Sequence, residues 1–354
     1  MRMLIIDTCY PAFLDAHYGE RPGLTERPYE EQWRSVMDTF FGTADSYSYH
    51  LGLLGHAAHE VTANCMPLQT AWAVEHRLEP PKRGRRAADK VVLAQARDFE
   101  PDVVYVQNLQ FLARRTLRQL ARRARLVGQI ASAPPRAGKL RLFDLVLTSF
   151  PHYVEHFRAL GVQSELLRVG FDERILERVG EPAERHDAVF VGALNRRRHR
   201  SGNTVLERAA RRAPIHFWGY GARGWPSDSP IRTRYHGEAW GLDMYRVLHG
   251  ARIAVNRHIR EADGFANNMR LYEATGVGTM LVTDEKANLG DLFEPGREVV
   301  SYDGPDELAE VVNHYLARED ERHAIARAGQ ARTLRDHTYR RRMEELVEIL
   351  ERSA

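Results

Sequence analysis

The sequence predicts an α/β protein made of two doubly wound, Rossmann-like units in tandem, facing across a ligand cleft at the carboxyl ends of their strands. Three observations carry this expectation. The chain has 354 residues, long for one domain, and its 43% hydrophobic and 28% charged residues suit two packed cores. Short apolar runs alternate with helical patterns along most of its length. That rhythm halts once, over 172–187, DERILERVGEPAERHD, a charged stretch with Gly-Glu-Pro punctuation that reads as a linker.

The first series of strands is MLIID (3–7), HEVTAN (59–64), DVVYVQ (102–107), RLVGQIAS (125–132), DLVLTS (144–149) and SELLRVG (164–170). Apolar runs without alternation fit parallel strands covered on both faces. Between them YEEQWRSVMDTFF, RAADKVVLAQARDF and HYVEHFRALG read as helices. The second series is AVFVGA (188–193), IHFWGYG (215–221), RIAVNR (252–257), TMLVTD (279–284) and EVVSYD (298–303), with GLDMYRVLHGA and PDELAEVVNHYLA as helices. In the last of these, Asp306 and Glu307 follow Pro305, where a fixed φ and the positive helix end favour them. Residues 320–353 read as one helical region broken near His337-Thr338. No internal sequence repeat occurs.

Composition excludes several classes. The net charge of +3 suits an anionic small molecule without demanding nucleic acid. Arginines cluster in ARRTLRQLARRARL, but Leu112, Leu117 and Leu120 form an apolar stripe there, and no aromatics interleave to stack bases. Cys9 and Cys65 are too few for a disulfide framework or a cysteine zinc site, and no pair among the 16 histidines has helical metal-ligand spacing inside a matching acidic context. No Asp-x-Asp metal motif stands beside the candidate ligand loops, so no divalent metal is expected, nor is a cofactor. The opening MRMLIIDT is too short for a secretion signal, and no run approaches a membrane span, so a cytoplasmic protein is expected. Peripheral membrane contact and oligomeric state stay open.

The segment 262–284, ADGFANNMRLYEATGVGTMLVTD, gathers polarity just before a buried strand. Asn267 or Asn268 caps a short helix that Gly276 ends, and Gly278 permits a close turn. Unpaired amides at that helix start suit a diphosphate, and Asp263-Gly264-Phe265 supplies backbone that can approach the same oxygens. Glu273 sits near the helix C-terminal end, against the dipole. It either pairs on the surface with Arg270, worth a few tenths of a kcal/mol, or accepts ribose hydroxyls as acidic residues do in dinucleotide-binding units.

The run NNMRLYEATGVGTMLVTDEKANLGDLFEPGREVVSYDGPDELAEVVNHYLARED, with IARAGQARTLRDHTYRRRMEEL after it, resembles the C-terminal half of group 1 glycosyltransferases of the GT-B fold, in their spore-maturation-type branch. The likeness covers 188–345 well, and is looser through VGQIAS and LVLTSFPHYVEHFRALGV. It implies an acceptor-binding domain over 1–172, a nucleotide-sugar-binding domain over 186–335, and a last helix, 336–354, packing back on the first. It assigns the ribose to Glu273, with Arg270, Asn267, Asn268, Phe265 and Gly264 around the donor. Relatives separate two glutamates by seven residues, whereas nine separate Asp263 from Glu273 here, so a catalytic donor-sugar role passes to Asp263 only weakly. Phosphate ligands of the fold follow the first strand of the second domain, which points to Arg196, Arg198 or Arg200. The alternative there is an exposed basic helix start. YHGEAW matches the loop around the base, with Gly237 beside it and Trp240 as stacking partner or, slightly favoured, core.

In the first domain the loop after strand one, DTCYPAFLDAHYG, is expected to face the cleft, with Tyr10, Asp15 and His17 as candidates for acceptor or sugar contact. Asn108 ends a strand at the same rim, as do Gln107, Gln129, Ser132 and Ser149. The implied activity is transfer of a sugar, hexosyltransferase-type, from a nucleoside diphosphate such as UDP to an acceptor hydroxyl. It is metal-independent, and retaining by resemblance. An inverting route would need a base such as Asp15 or His17. The competing readings are an epimerase or phosphorylase on the same fold, or a non-catalytic nucleotide- or nucleic-acid-binding protein with a steep salt dependence. Glu273→Ala is expected to weaken nucleotide binding and leave the fold intact.

Overall fold

In the computed structural model, which describes residues 1–82, 85–196 and 199–353, the apolar runs become the strands of two parallel sheets. By internal contacts the chain forms two units, Met1–Arg168 with Met343–Ala354, and Val169–Arg342. The first holds β1 (Arg2–Asp7), β2 (Ala57–Thr62), β3 (Val103–Val106), β4 (Arg125–Ile130), β5 (Leu145–Thr148) and β6 (Ser164–Leu166), in the order β2-β1-β3-β4-β5-β6. The second holds β7 (His186–Val191), β8 (Ile215–Trp218), β9 (Ala251–Val255), β10 (Met280–Asp284) and β11 (Val300–Tyr302), ordered β11-β10-β9-β7-β8. Each predicted run overlaps one of these strands, although β1, β2, β7 and β9 begin one or two residues before the predicted start. Most strands stop short of the predicted ends, where apolar residues give way to polar ones or glycine.

Both cores follow from the continuous apolar character of the strands. In the first, Leu4, Ile6, Val104, Val106, Leu126 and Val146 pack with helix residues such as Leu117, Leu120 and Phe157, so the leucine stripe of the arginine-rich segment faces inward. In the second, Phe190, Phe217, Ile253, Val255 and Val282 meet Leu206, Leu308 and Val312. Continuous chain, not a loose linker, fills 172–187: Asp172 is buried against the Arg174 guanidinium at 2.6 Å, and a short helix runs Ile175–Val179 before β7 begins. The expected break in the final helical region is real. One helix ends at Asp336 and the next runs Tyr339–Arg352. Between them Phe171 N–H donates to the His337 carbonyl at 2.8 Å, and Tyr339 N–H to the Phe171 carbonyl at 2.9 Å. Burial pushes His337 down to about 4, so its neutral ring donates from Nε2 to the Leu292 carbonyl and accepts from Arg342 at Nδ1. At the far end of the last helix, Arg125 donates to the carbonyls of Leu350 and Ser353 at 2.7 and 2.6 Å.

One buried carboxyl in the first unit gives a pH prediction. Glu60, on β2, is 5% exposed and accepts from the backbone and hydroxyl of Ser48. Burial outweighs those bonds and pushes its pKa up to about 8. From roughly pH 4.5 upward the folded state keeps a proton that the unfolded chain releases. Stability therefore falls as pH rises through this window, by about 1.4 kcal/mol per unit at most. Glu60→Gln should remove that slope. Urea melts at pH 5 and pH 8 should show the variant gaining on the parent at the higher pH, and an equal difference at both would refute it.

Candidate functional site

In the second unit the order in which successive strands are added reverses between β7 and β9, and an open α/β sheet binds ligands outside the strand ends at such a point. Chain leaving β7 carries Gly192, Ala193, Asn195 and Arg196, and chain leaving β9 carries Asn256, Arg257 and His258. The loop after β8 lies flat against the loop after β7: Gly192 N–H donates to the Trp218 carbonyl at 3.0 Å, and Leu194 N–H to the Tyr220 carbonyl at 2.8 Å. This closeness requires glycine at 219, where φ is 126° and a Cβ would overlap the Gly192 carbonyl oxygen.

Between these loops opens a cavity of about 820 Å³ lined by Asn195, Arg196, Arg200, Gly221, Arg223 and Gly224. Arg196 lies over the Trp225 ring, its guanidinium carbon 5.6 Å from the centroid. Arg198 lies outside the described residues. Arg257, at the switch point itself, is half-buried and bonds neutral oxygens, Asn203 Oδ1 and the Ala193 carbonyl, each at 2.9 Å. Gly202 makes room for it, since a Cβ there would meet Arg257 Cδ at 2.6 Å. Burial draws the Arg257 pKa down from the ordinary arginine range. The sequence reading missed this residue; its one signal was a basic residue ending an apolar run.

The asparagines of the 262–284 segment have structural partners. Asn268 is the N-cap of the helix Met269–Gly276, accepting from Leu271 N–H at 3.3 Å, and its amide donates to Asn256 Oδ1 at 2.9 Å. Asn267 Oδ1 accepts the buried Tyr272 hydroxyl at 2.9 Å. Asn288 clips the loop by bonding both the N–H and the carbonyl of Ala266. Gly264 and Phe265 lie in this loop, and the Gly264 carbonyl accepts from Ala287 N–H at 3.0 Å. Asp263 is exposed with φ 53°, a strained conformation for a residue with a Cβ.

Arg270 and Glu273 do pair, at 2.9 Å, but the pair is buried, with side chains 14% and 7% exposed, so the surface-pair reading is corrected. Arg270 also donates to the carbonyl of Val191, the last residue of β7, at 3.1 Å. Burial raises the Glu273 pKa against the opposing Arg270 charge and Tyr245 hydrogen bond. Gly237 has φ 104° and its carbonyl accepts from Gly219 N–H at 2.9 Å. Trp240, favoured as core, is half-buried instead, its ring nearly parallel to Tyr220 with centroids 6.3 Å apart.

In the first unit the segment after β1 is a helix, Pro11–Gly19, and not the expected loop. Tyr10 precedes it, 53% exposed, and Asp15 is exposed on it. His17 is buried, with Nε2 3.1 Å from Ser35 Oγ, and burial pushes its pKa down to about 4. Pro11 starts the helix a residue after Tyr10, which carries His17 inward. The order of strand addition in this sheet reverses between β1 and β3. There Asn108 donates to Thr8 Oγ1 at 2.7 Å, and burial pushes the Asp7 carboxyl up to about 7. Asp7 went unnoticed in the sequence because it closes an apolar run like any strand-end polar residue.

Comparison with known proteins now bears on this geometry. The whole length is similar to the sucrose-phosphate synthase of Thermosynechococcus elongatus, at 12% identity and a TM-score of 0.62 over 99% of this chain and 98% of that one. It is equally similar to Anabaena Alr3699/HepE, solved in complex with UDP-glucose, at 13% identity, a TM-score of 0.62 and 99% of both chains. The fold is GT-B. AviGT4, a glycosyltransferase involved in avilamycin A biosynthesis, matches at 13% identity and a TM-score of 0.58 over 98% of this chain and 96% of that one. Residues 196–348 match a family model described as glycosyl transferase-like. In sequence, the chain has no match among curated proteins. Among the described residues no helix is long and apolar enough to cross a membrane.

Proposed function

We propose that the protein is a glycosyltransferase that moves a hexosyl group from a nucleoside-diphosphate sugar to an acceptor hydroxyl. The observation that carries this reading is the gathering of Arg196, Arg200, Arg223 and Arg257 at the carboxyl ends of β7, β8 and β9 in a GT-B unit. A departing diphosphate develops negative charge, and fixed guanidinium groups stabilise it without reorganising. The similarity to a structure holding UDP-glucose supports UDP as the first carrier to test. The glycosyl transferase-like match over 196–348 supports the second unit as the donor side and the first as the acceptor side. Glu273 is proposed to receive the ribose once Arg270 shifts its pairing. Arginines in place of a metal, retention of configuration, a spore-maturation-type branch and a reducing cytoplasm, consistent with free Cys9 and Cys65, complete the proposal.

In this mechanism the arginines hold the diphosphate, Asp263-Gly264-Phe265 offers backbone toward the sugar, and the acceptor is positioned by the first unit, where Asp7 joins Tyr10, Asp15 and Asn108 as candidates. Positioning and electrostatic stabilisation supply the acceleration. A thermal-shift panel of UDP, GDP, ADP and dTDP, alone and as glucose esters, tests the donor side, because a ligand bound only by the folded state raises the melting point. A rise of a few degrees with one nucleotide series is expected. No shift with any of them, together with salt-sensitive RNA or DNA binding, would replace this reading with the nucleic-acid one.

A further inference from the structure

His258 lies three residues past the last residue of β9, next to Arg257, and its side chain is 1% exposed. Its Nδ1 stands 2.7 Å from Asp284 Oδ1, and the same oxygen accepts the His258 backbone N–H at 3.0 Å. Asp284 closes β10, and Lys286 Nζ stands 3.1 Å from its other oxygen. Burial alone would raise the Asp284 carboxyl, but the His258 hydrogen bond and the Lys286 ammonium outweigh it and keep the group ionised. An ionised carboxylate can only accept, so Nδ1 carries a hydrogen and Nε2 is the ring atom left to bond elsewhere. That nitrogen is buried and, among the described residues, has no hydrogen-bond partner. Folding alone disfavours a buried polar nitrogen left unmatched, and such groups call for an explanation.

The chemistry narrows what completes it. A phosphate oxygen only accepts, so it matches Nε2 in just one protonation state of the ring, whereas a hydroxyl both donates and accepts. An apolar group would leave the nitrogen unmatched. A hydroxyl satisfies it. His258 adjoins Arg257, whose guanidinium the donor reading assigns to the diphosphate, and the donor group that carries hydroxyls next to a diphosphate is the sugar. We infer that His258 is a specificity-determining residue for the donor: Nε2 hydrogen-bonds a hydroxyl of the transferring sugar, with Asp284 and Lys286 as positioning residues that fix the ring. The inference rests on the donor reading above. It explains why a histidine in so packed a place is aligned by two bonds to one carboxylate. A site built to receive a hydroxyl discriminates strongly against a sugar that lacks it.

Two variants separate this role from a structural one. Asparagine at 258 keeps the bond toward Asp284 but lacks the distal nitrogen, whereas glutamine reaches the distal position. Calorimetry on the full chain uses whichever of UDP, GDP, ADP and dTDP the wild type binds tightest, alone and as its glucose ester. His258→Asn should weaken the ester by about tenfold or more, the scale of one lost buried hydrogen bond, and leave the bare nucleotide within about twofold. His258→Gln should restore part of the loss. Equal weakening of both ligands, or of neither, overturns the inference while the donor reading stands. A wild type that binds none of the nucleotides removes both.

Discussion

Glu273→Ala is expected to lower the stability of the second unit by about 3–5 kcal/mol, the usual cost of removing one partner from a buried ion pair. The carboxylate is 7% exposed and its Arg270 partner 14%, so alanine strands a guanidinium that also ties the end of β7 to the helix Met269–Gly276. This reverses the expectation, drawn from sequence, that alanine would leave the fold intact. Glu273→Gln keeps the shape and an acceptor for Arg270, and should cost far less. Paired urea melts and nucleotide titrations decide the matter. Alanine melting like the wild type contradicts the buried pair, and glutamine binding nucleotide like the wild type contradicts the ribose role.

The second large effect is on the donor. Arg196→Ala combined with Arg200→Ala should lower nucleoside-diphosphate affinity by about 100-fold, since each charge-assisted hydrogen bond is worth about 1.5–3 kcal/mol. Both residues are exposed at the cavity rim, so the melting point in the absence of ligand should hold. Lysine at both positions should recover part of the affinity, because it keeps the charge but loses the planar fork. Binding within about twofold of the wild type in the folded double-alanine variant would remove the arginine clamp from the mechanism.

Much of the candidate site was legible where its signal is local. Asn268 was readable as a cap because a short polar side chain before a helical pattern has one favoured use, and the structure gives it that use. The two asparagines expected to grip a ligand also bond within the protein: Asn267 accepts from Tyr272, and Asn268 bonds Leu271, Asn256 and the Arg257 carbonyl. His17 was misplaced because the segment DTCYPAFLDAHYG contains too few periodic residues to distinguish a loop from a two-turn helix. Arg257 closed the predicted strand RIAVNR, and His258 stood just past it with no local signal. Their partners Ala193, Asn203 and Asp284 are 64, 54 and 26 residues away.

The sequence by itself determined which runs become strands and where the final helical region breaks, because apolar periodicity and helix breakers act over a few residues. It also determined that basic residues would follow β7. Only the tertiary structure decided the strand order, and with it the switch point between β7 and β9 that brings Arg257 to the Ala193 carbonyl. It alone decided that the Arg270–Glu273 pair is buried. Those outcomes depend on which strands lie side by side, and contacts between distant residues follow from packing that no local pattern encodes.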